Sequence, residues 1–433
     1  MNKKLNDVVV IGFALFAMFF GAGNLIFPPY IGFELGSKWF LGLLGFMLTG
    51  IGLPLLGIIT VALNEGSFEN FAGKAGKTFA NALNFVIVLC IGPLLAIPRT
   101  GATTYEMGIA SIMPDFNILL ACLIYFAINT YFTINPSKVI DNVGKILTPT
   151  LFIMLAIIII KGIIDPIGGF TASKIPNAFG RSFMEGYQTM DALGSIILAG
   201  IIVNAVKERG YDKAEDQIKL TILSGLIAAL GLLFVYGGLM YLGATASTLF
   251  EGEIGKTELL ISIVEKEFGN FGKIALGIAV SFACLTTSVG LTATAAEYFS
   301  RLTKNRISYK TMVVIISLFS AFIGAFGVEK IIKLSVPILV SVYPVVIVLI
   351  LMNAFNSFIK NNLCYTYATI FTLLISIVDG LSAARLNVNK IYEVIYYLPF
   401  TKEGFAWVYT ASLGIILGMM HSAFNKKLKK ENN

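Results

Sequence analysis

The sequence predicts an all-α integral membrane protein with twelve transmembrane helices, from its composition, its long apolar segments and the placement of its basic residues. The chain has 433 residues, of which 56% are hydrophobic and 13% are charged, and its mean hydropathy is +0.82. Soluble domains have about 45–50% apolar and about 25% charged residues. The composition therefore excludes a soluble globular protein and indicates a chain that crosses a bilayer several times.

Long apolar segments define the predicted crossings, because one helical crossing needs roughly 20 apolar residues. The predicted segments, numbered 1 to 12 in chain order, are 8–33, 39–63, 79–110, 116–134, 140–164, 178–206, 218–244, 271–300, 309–327, 330–354, 363–384 and 404–424. An even number of crossings places both termini on the same side of the membrane.

Basic residues indicate which side that is. If the N-terminus is cytoplasmic, the cytoplasmic loops and ends carry about twice as many Lys and Arg residues as the opposite loops, as the positive-inside rule requires. We therefore expect both termini in the cytoplasm. The net charge of +7 is mostly this topology signal, and no basic cluster suits a nucleic acid.

Residues for catalysis or for a transition metal are scarce. His421 is the single histidine and lies at the end of segment 12, and the four cysteines fall within apolar segments without ligand spacing. A membrane-embedded enzyme would need paired ligands, or a nucleophile with a base. We therefore expect no enzymatic activity, no catalytic residues and no organic cofactor.

The middle of segment 1 is predicted to be non-helical. Gly21, Gly23 and Asn24 lie near the expected bilayer centre, and Pro28 and Pro29 follow one turn later. Irregular backbone at that depth is tolerated only where it is buried in protein or lines a cavity. Two half-helices would direct an N-terminal end and free carbonyls into one volume, which suits a carboxylate with a small cation. The alternative is a helix kinked for packing, since Gly and Pro are common in membrane helices.

Segment 6 contains a second predicted interruption. Gly186 and Gly194 flank Gln188, Thr189 and Asp191, well away from either end of the segment. A carboxylate buried there needs a compensating cation, and a substrate ammonium is one. The alternative is an aspartate held by backbone amides at a helix break.

Segments 1 and 6 are interrupted at corresponding positions five helices apart. Because five is odd, a second block of five helices would insert upside-down relative to the first, as in secondary transporters with inverted repeats. The predicted domains are a first repeat at 1–164, a second at 165–354, and two further helices with a basic cytoplasmic tail at 355–433.

Segment 3 carries charge inside the membrane. Arg99 and Glu106 are seven residues apart and share a helix face. A charge at that depth costs at least about 2.5–3.5 kcal/mol, so both should be paired or functional. An internal ion pair and contact with a substrate are the two interpretations.

Segment 8 offers a set of oxygen ligands. Ala283, Thr286 and Thr287 lie on one face, and they provide two hydroxyls and a carbonyl that a local irregularity could free. Neutral hard ligands suit a weakly held monovalent cation such as Na⁺. The alternative is that the hydroxyls bond back to their own helix.

Three motifs, GAGNLIFPP, GPLLAIPRT and GYQTMDAL, resemble those of the bacterial branched-chain amino acid carriers of the BrnQ type, the LIVCS family of cation symporters. This resemblance covers essentially the whole chain. More distantly, the chain is similar to sodium symporters of the LeuT fold: GAGNLIFP resembles their GxGNxxxFP, KILTPTLF their KIxMPTLF, and FACLTTS their FAGLTSS. The resemblance implies a LeuT-like 5+5 inverted repeat with broken helices 1 and 6.

The resemblance also implies roles for individual residues. It implies a Na⁺ site formed by the set Ala17, Phe20, Ala283, Thr286 and Thr287, with the first two contributing carbonyls. It implies that the backbone of Gly21 to Asn24 takes the substrate carboxylate and that Asp191 lies near the substrate amine. The predicted substrate site as a whole is the set Gly21, Ala22, Gly23, Asn24, Thr100, Gln188, Thr189, Asp191 and Ser288. Segment 7 has no counterpart of the carboxamide at the relatives' second sodium site, so one coupling ion is expected.

The expected function is import of leucine, isoleucine or valine with Na⁺ by alternating access, in a bacterial inner membrane. The expected partners are the amino acid and the lipid bilayer, with no nucleic acid, and we expect a functional monomer. The alternative is H⁺ coupling, with Glu106 or Asp191 as the proton carrier. A channel is disfavoured because two broken helices in one chain fit alternating access better than a conducting ring.

Overall fold

The computed structural model describes residues 3–134, 136–173, 175–250, 252–359, 361–395, 397, 401 and 403–431, and the side chains of all these except 136–148, 389, 392, 394 and 426–431. The lysines of the predicted basic tail and residues 145–148 of the motif KILTPTLF lie outside the described side chains. The described residues form helices and connections, with no β-strand among them. The predicted all-α class is confirmed.

The helices cover every predicted segment. In the described residues they are α1 (Lys3–Phe19), α2 (Ala22–Leu35), α3 (Trp39–Met47), α4 (Leu53–Leu63), α5 (Phe68–Gly73), α6 (Lys77–Leu89), α7 (Ala96–Thr103), α8 (Ile118–Ile134), α9 (Pro136–Ile164), α10 (Ala178–Glu185), α11 (Asp191–Glu208), α12 (Ala214–Thr245), α13 (Lys256–Leu302), α14 (Tyr309–Gly324), α15 (Val328–Ala354), α16 (Asn362–Ala383), α17 (Asn389–Ile395) and α18 (Ala406–Glu431). Seven helical stretches of the described chain are long and apolar enough to cross a membrane, or eight if Ala178–Thr189 and Asp191–Glu208 form one bent span. The number of twelve crossings stays a prediction.

Two predicted segments, 2 and 3, contain π-helical turns. These turns are Leu48–Gly52, Cys90–Leu94 and Thr104–Ile109. The second contains Pro93 and a non-helical Gly92, because proline removes a backbone donor and clashes with the preceding turn. Segment 3 therefore consists of α6, α7 and two π-helical turns, which place Arg99 on a short separate helix.

The chain forms two compact units. The first contains Met1–Ile51, Val88–Met190 and Ser224–Leu334, and the second contains Gly52–Ile87, Asp191–Leu223 and Ser335–Asn433. All the candidate site residues except Asp191 belong to the first unit. Asp191 begins α11 in the second unit.

Glycines bring helices of the first unit into backbone contact. A Cβ atom on Gly243 of α12 would overlap the Pro29 carbonyl of α2, and one on Gly32 of α2 would overlap the Met240 carbonyl of α12. A Cβ on Gly45 of α3 would likewise overlap a carbonyl of α10. Small residues are the usual means of close helix packing in membranes, and here they fix the position of α2 after the break.

The second unit is held by a cluster of polar side chains around Asn353 at the end of α15. Its Oδ1 accepts from Lys74 Nζ at 2.8 Å and from Asn64 Nδ2 at 3.1 Å, and its Nδ2 donates to the Phe71 carbonyl at 3.1 Å. These bonds tie α15 to the loop helix α5. A structural role explains this cluster.

Candidate functional site

The interruption in segment 1 is two residues long. Helix α1 ends at Phe19, α2 begins at Ala22, and Gly21 is extended with φ −120° and ψ −168°. The Gly21 amide donates to Asn24 Oδ1 at 3.1 Å, and the Asn24 amide donates to the Gly21 carbonyl at 3.2 Å. Asn24 therefore caps the start of α2 with its own side chain.

The break releases carbonyls that a continuous helix would use. In an α-helix the Gly21 amide would bond to the Ala17 carbonyl and the Asn24 amide to the Phe20 carbonyl, and both amides have other acceptors here. The Phe20 carbonyl instead faces Thr287, whose hydroxyl donates to it at 3.5 Å. The structure thus brings together Phe20 and Thr287, two of the residues predicted to hold Na⁺.

Helix α13 is regular at the predicted cation ligands. Among its residues only Gly269 departs from helical geometry, so the prediction that a local irregularity frees the Ala283 carbonyl is wrong. That carbonyl accepts from the Thr286 hydroxyl at 2.9 Å, which is the back-bonding that polar side chains in membrane helices commonly adopt. The Phe20 carbonyl and the Thr287 hydroxyl lie together at the break, and binding of a cation there stays a prediction. The bond between Thr286 and Ala283 leaves lone pairs on both oxygens.

The second interruption is centred on Met190. Gly186–Thr189 forms a 3₁₀ turn, Met190 has left-handed geometry with φ +62°, and α11 begins at Asp191. The Thr189 hydroxyl donates to the Gly186 carbonyl at 2.9 Å. Asp191 is 6% exposed in the first turn of α11, where a negative charge is favoured by the helix dipole.

Arg99 lies against both half-helix ends in the first unit. Its Nη1 donates to the Gln188 carbonyl at 2.7 Å, and its guanidinium lies 5.4 Å from the centroid of the Phe27 ring. A Cβ atom on Gly23 would lie 2.7 Å from Arg99 Nη2. The lack of a side chain at Gly23 therefore admits the guanidinium to the first turn of α2.

Glu106 does not pair with Arg99, so the predicted internal ion pair of these two residues is wrong. Its Oε2 accepts from the Thr257 hydroxyl at 2.7 Å, and its Oε1 accepts from the Val328 amide at 2.8 Å. The π-helical turn Thr104–Ile109 separates it from α7, which changes the helical phase that the spacing assumed. Glu106 holds the first turns of α13 and α15, where acidic groups are favoured.

Thr100 and Ser288 both lie beside Tyr125 of α8. Their hydroxyls and that of Thr104 lie next to the Tyr125 hydroxyl of α8, and the Thr100 hydroxyl donates to the Ile97 carbonyl at 2.6 Å. Ser288 is one residue after Thr287 and so projects about 100° around the helix from it. The contact of Thr100 and Ser288 with a substrate stays a prediction.

Two features of the site were not anticipated from the sequence. The first is Tyr236 of α12, whose hydroxyl accepts a hydrogen bond from Asn24 Nδ2. The second is Lys256, whose Nζ lies 3.2 Å from Glu185 Oε1 and 3.5 Å from the centroid of the Tyr30 ring. A single tyrosine in an apolar helix gives no signal in the sequence, whereas Glu185, one turn before the second break, was a detectable intramembrane charge.

Solved structures share this architecture. One structure of MhsT in complex with L-phenylalanine matches with a TM-score of 0.59 and 18% identity, covering 95% of this chain and 98% of that one. One structure of Mhp1, a nucleobase-cation-symport-1 family transporter, matches with a TM-score of 0.66 and 15% identity, covering 97% and 93%. The chain is therefore a multi-pass helical membrane protein with the LeuT fold.

Sequence comparison narrows this class to one family. The family model of the branched-chain amino acid transport proteins matches residues 4–425, and the chain belongs to this family. The branched-chain amino acid permease BraB of Bacillus subtilis is 41% identical, with 100% of this chain and 99% of the relative covered. A branched-chain amino acid transport system 2 carrier protein of Pseudomonas aeruginosa is 35% identical, with 96% and 95% covered. The resemblance found in the motifs is confirmed.

Proposed function

We propose that the protein is a symporter that imports branched-chain amino acids with Na⁺ by alternating access. The observation that carries the proposal is the break between α1 and α2, which turns the Phe20 carbonyl to the Thr287 hydroxyl beside the first turn of α2. A cation and a carboxylate can share this small volume because free carbonyls and the positive end of a helix meet there. The names of the relatives, permeases and carriers, agree with this chemistry.

The substrate would bind through its two charges. The backbone of Gly21 to Asn24 would receive the carboxylate at the N-terminal end of α2, where amides lack intrahelical acceptors. Asp191 would receive the ammonium. Gln188 and Thr189 would line the site from the second break, and the apolar side chain would determine the preference for leucine, isoleucine or valine.

The cation would be held by oxygen atoms alone. Phe20 and Ala17 would contribute carbonyls, and Thr287, Thr286 and Ala283 would contribute two hydroxyls and a carbonyl. Among the described residues no group of His, Cys, Asp or Glu has the geometry of a metal site. A ligand set without a carboxylate suits weak binding of Na⁺. Weak binding is needed because a coupling ion must leave its site in every transport cycle.

The arrangement in the membrane follows from the same proposal. We infer repeats at 1–164 and 165–354, twelve crossings, cytoplasmic termini in a bacterial inner membrane, and a monomer as the transport unit. The carrier would alternate between states as one repeat moves against the other around the central site.

Uptake into liposomes tests the proposal. Purified protein would be reconstituted, and leucine uptake measured with an inward Na⁺ gradient at equal pH, and with a pH gradient in the absence of Na⁺. We expect saturable, concentrative uptake with the Na⁺ gradient only, and its loss when an ionophore dissipates that gradient. Uptake driven by the pH gradient alone would establish H⁺ coupling instead, and non-saturable flux would indicate a channel.

The variant Glu106→Gln further distinguishes Na⁺ coupling from H⁺ coupling. The glutamine oxygen can still accept from the Val328 amide, and its NH₂ group can donate to the Thr257 hydroxyl, so we expect the glutamine variant to keep Na⁺-driven uptake. If this variant lost pH-driven uptake that the parent protein shows, Glu106 would be a proton carrier.

A further inference from the structure

We propose that Tyr236 of α12 is a positioning residue for the coupling cation, acting through Asn24. The proposal rests on the proposed function, because it concerns the same break between α1 and α2. Tyr236 is 0% exposed and Asn24 is 1% exposed, and the phenol accepts a hydrogen bond from Asn24 Nδ2. No predicted ligand lies on α12, so the Tyr236 hydroxyl would influence the cation through its bond to Asn24.

The Gly21 amide and the Tyr236 hydroxyl both contact the Asn24 carboxamide, and together they define its orientation. The Gly21 amide can only donate, so the oxygen of the carboxamide must face it, at 3.1 Å. The nitrogen then faces Tyr236, where it needs an acceptor. Without the phenol oxygen this buried N–H group would lose that acceptor, and a hydrogen bond of this kind contributes about 0.5–1.5 kcal/mol. The carboxamide would then be held less firmly in the orientation that the Gly21 amide requires.

The same carboxamide controls whether the Ala17 carbonyl is available. While Asn24 Oδ1 holds the Gly21 amide, that amide cannot return to the Ala17 carbonyl to continue α1. If the carboxamide turned away, the amide would be unsatisfied and its nearest helical acceptor would be Ala17. The Tyr236 hydroxyl therefore orients Asn24, Asn24 holds the Gly21 amide, and the held amide leaves the Ala17 carbonyl available to Na⁺.

Tyr236 is itself held in place. Its ring packs edge-on against Phe46 of α3, with centroids 5.5 Å apart, and α12 cannot shift away from α2 without separating the Gly243 and Pro29 contact. These contacts hold the Tyr236 hydroxyl in place beside the break between α1 and α2. Tyr236→Phe removes the hydroxyl that contacts Asn24 and keeps the ring that packs against Phe46.

The test measures the Na⁺ dependence of leucine binding by purified protein. For Tyr236→Phe we expect the half-saturating Na⁺ concentration to rise about three- to tenfold, as expected for loss of one hydrogen bond. Asn24→Ala should raise it at least as much, and the double variant should be no worse than Asn24→Ala alone, because both changes interrupt one chain of contacts.

Tyr365→Phe is the matched control. Tyr365 is also 0% exposed in a membrane helix, and its hydroxyl donates to the Met352 carbonyl at 2.8 Å. This variant should lower thermal stability like any lost buried hydrogen bond but leave the half-saturating Na⁺ concentration unchanged. A shift of the same size in Tyr365→Phe would show that general destabilisation is the cause, and would overturn the proposal.

The outcomes separate this inference from the proposed function. If the parent protein binds leucine with Na⁺ but Tyr236→Phe has parental Na⁺ dependence, the positioning role is wrong and the symporter proposal stands. Full additivity of Tyr236→Phe and Asn24→Ala would also overturn the positioning role. If Tyr236→Phe fails to fold, Asn24→Ala tests the same chain from its other end, and parental Na⁺ dependence in that variant would overturn the inference.

Discussion

At the scale of single residues, the Thr287 hydroxyl of α13 contacts the broken helix at the Phe20 carbonyl. Thr287→Ala removes one oxygen ligand and leaves a good helix former. We expect the half-saturating Na⁺ concentration of leucine uptake to rise about tenfold or more, corresponding to a charge-assisted contact of about 1.5–3 kcal/mol, with little change in thermal stability.

Thr294→Ala serves as the control for that variant. Thr294 lies on the same helix, and its hydroxyl bonds back to the Gly290 carbonyl at 2.9 Å. Its replacement should leave the Na⁺ dependence unchanged. Parental Na⁺ dependence in Thr287→Ala would remove this residue from the cation site.

Asp191→Asn tests recognition of the substrate ammonium. A carboxylate and an ammonium out of water form a favourable pair only with good geometry and further hydrogen bonds. The amide keeps the size of the side chain but removes its charge, so leucine affinity should fall by about 1.5–3 kcal/mol. Binding of leucine and of valine should weaken by the same factor, because the apolar part of the substrate contacts other residues.

Asp379→Asn is the control for Asp191→Asn, because Asp379 of α16 is another buried carboxylate, 8% exposed. It should not alter leucine affinity. If Asp191→Asn binds leucine like the parent protein, or loses binding only in proportion to its amount in the membrane, Asp191 stabilises the first turn of α11 and does not bind the substrate.

Single residues also show where sequence reasoning about the site was limited. Gly21 and Asn24 were identifiable because glycine and a capping residue inside an apolar run conflict with a continuous helix. Arg99 and Glu106 were recognised as important, but a π-helical turn changes the helix faces on which they lie, and so their partners. No residue pattern in the sequence predicts that turn. Tyr236 was missed because its role arises from a contact 212 residues away along the chain.

At the scale of helices, the contact between α2 and α12 should be intolerant of any side chain. Gly243→Ala would place a methyl group on the Pro29 carbonyl, and overpacking of this kind costs about 1–3 kcal/mol or more. We expect a lower melting temperature and reduced leucine uptake per folded protein, because the position of α2 after the break would change.

Gly290→Ala is the corresponding control in α13. No atom lies within 4 Å of a Cβ added there, and alanine is the better helix former by about 1 kcal/mol. Its melting temperature should be unchanged or higher. Equal stability of the two variants would mean that α2 and α12 can separate without cost.

The interruptions themselves were predictable to different degrees. In segment 1, glycine and asparagine mark the break to within a few residues. In segment 6, the flanking glycines do not form the break, which lies at Met190 with φ +62°. A left-handed conformation costs a residue with a Cβ about 1–2 kcal/mol, so the surrounding packing imposes it, and local sequence could not reveal it.

At the scale of the whole molecule, the expected orientation is open to a direct test. A green fluorescent protein fused after residue 433 should fluoresce, because it folds in the cytoplasm. Alkaline phosphatase fused after residue 170, in the predicted outer segment 165–177, should be active. Exchange of the two reporters is the control, and the opposite pattern would reverse the proposed orientation.

Composition and motifs were sufficient for the class and the family, because a membrane imposes strong constraints on hydropathy and the motifs are long. The division of the chain into compact units was not predictable. Each unit combines three separate stretches of sequence, and the boundaries fall inside helices such as α12 and α15. Hydropathy measures how a segment meets lipid and carries no information on which segments pack together.

The bonds of Glu106 have a mechanical consequence. One carboxylate joins the start of α13, through Thr257, to the start of α15, through Val328, and the Lys256 amide adds a bond of 3.4 Å to Glu329. The first turns of these two helices are therefore joined by these bonds. A movement that carries the starts of α13 and α15 together keeps these bonds. A movement that separates the two helix starts must first break them.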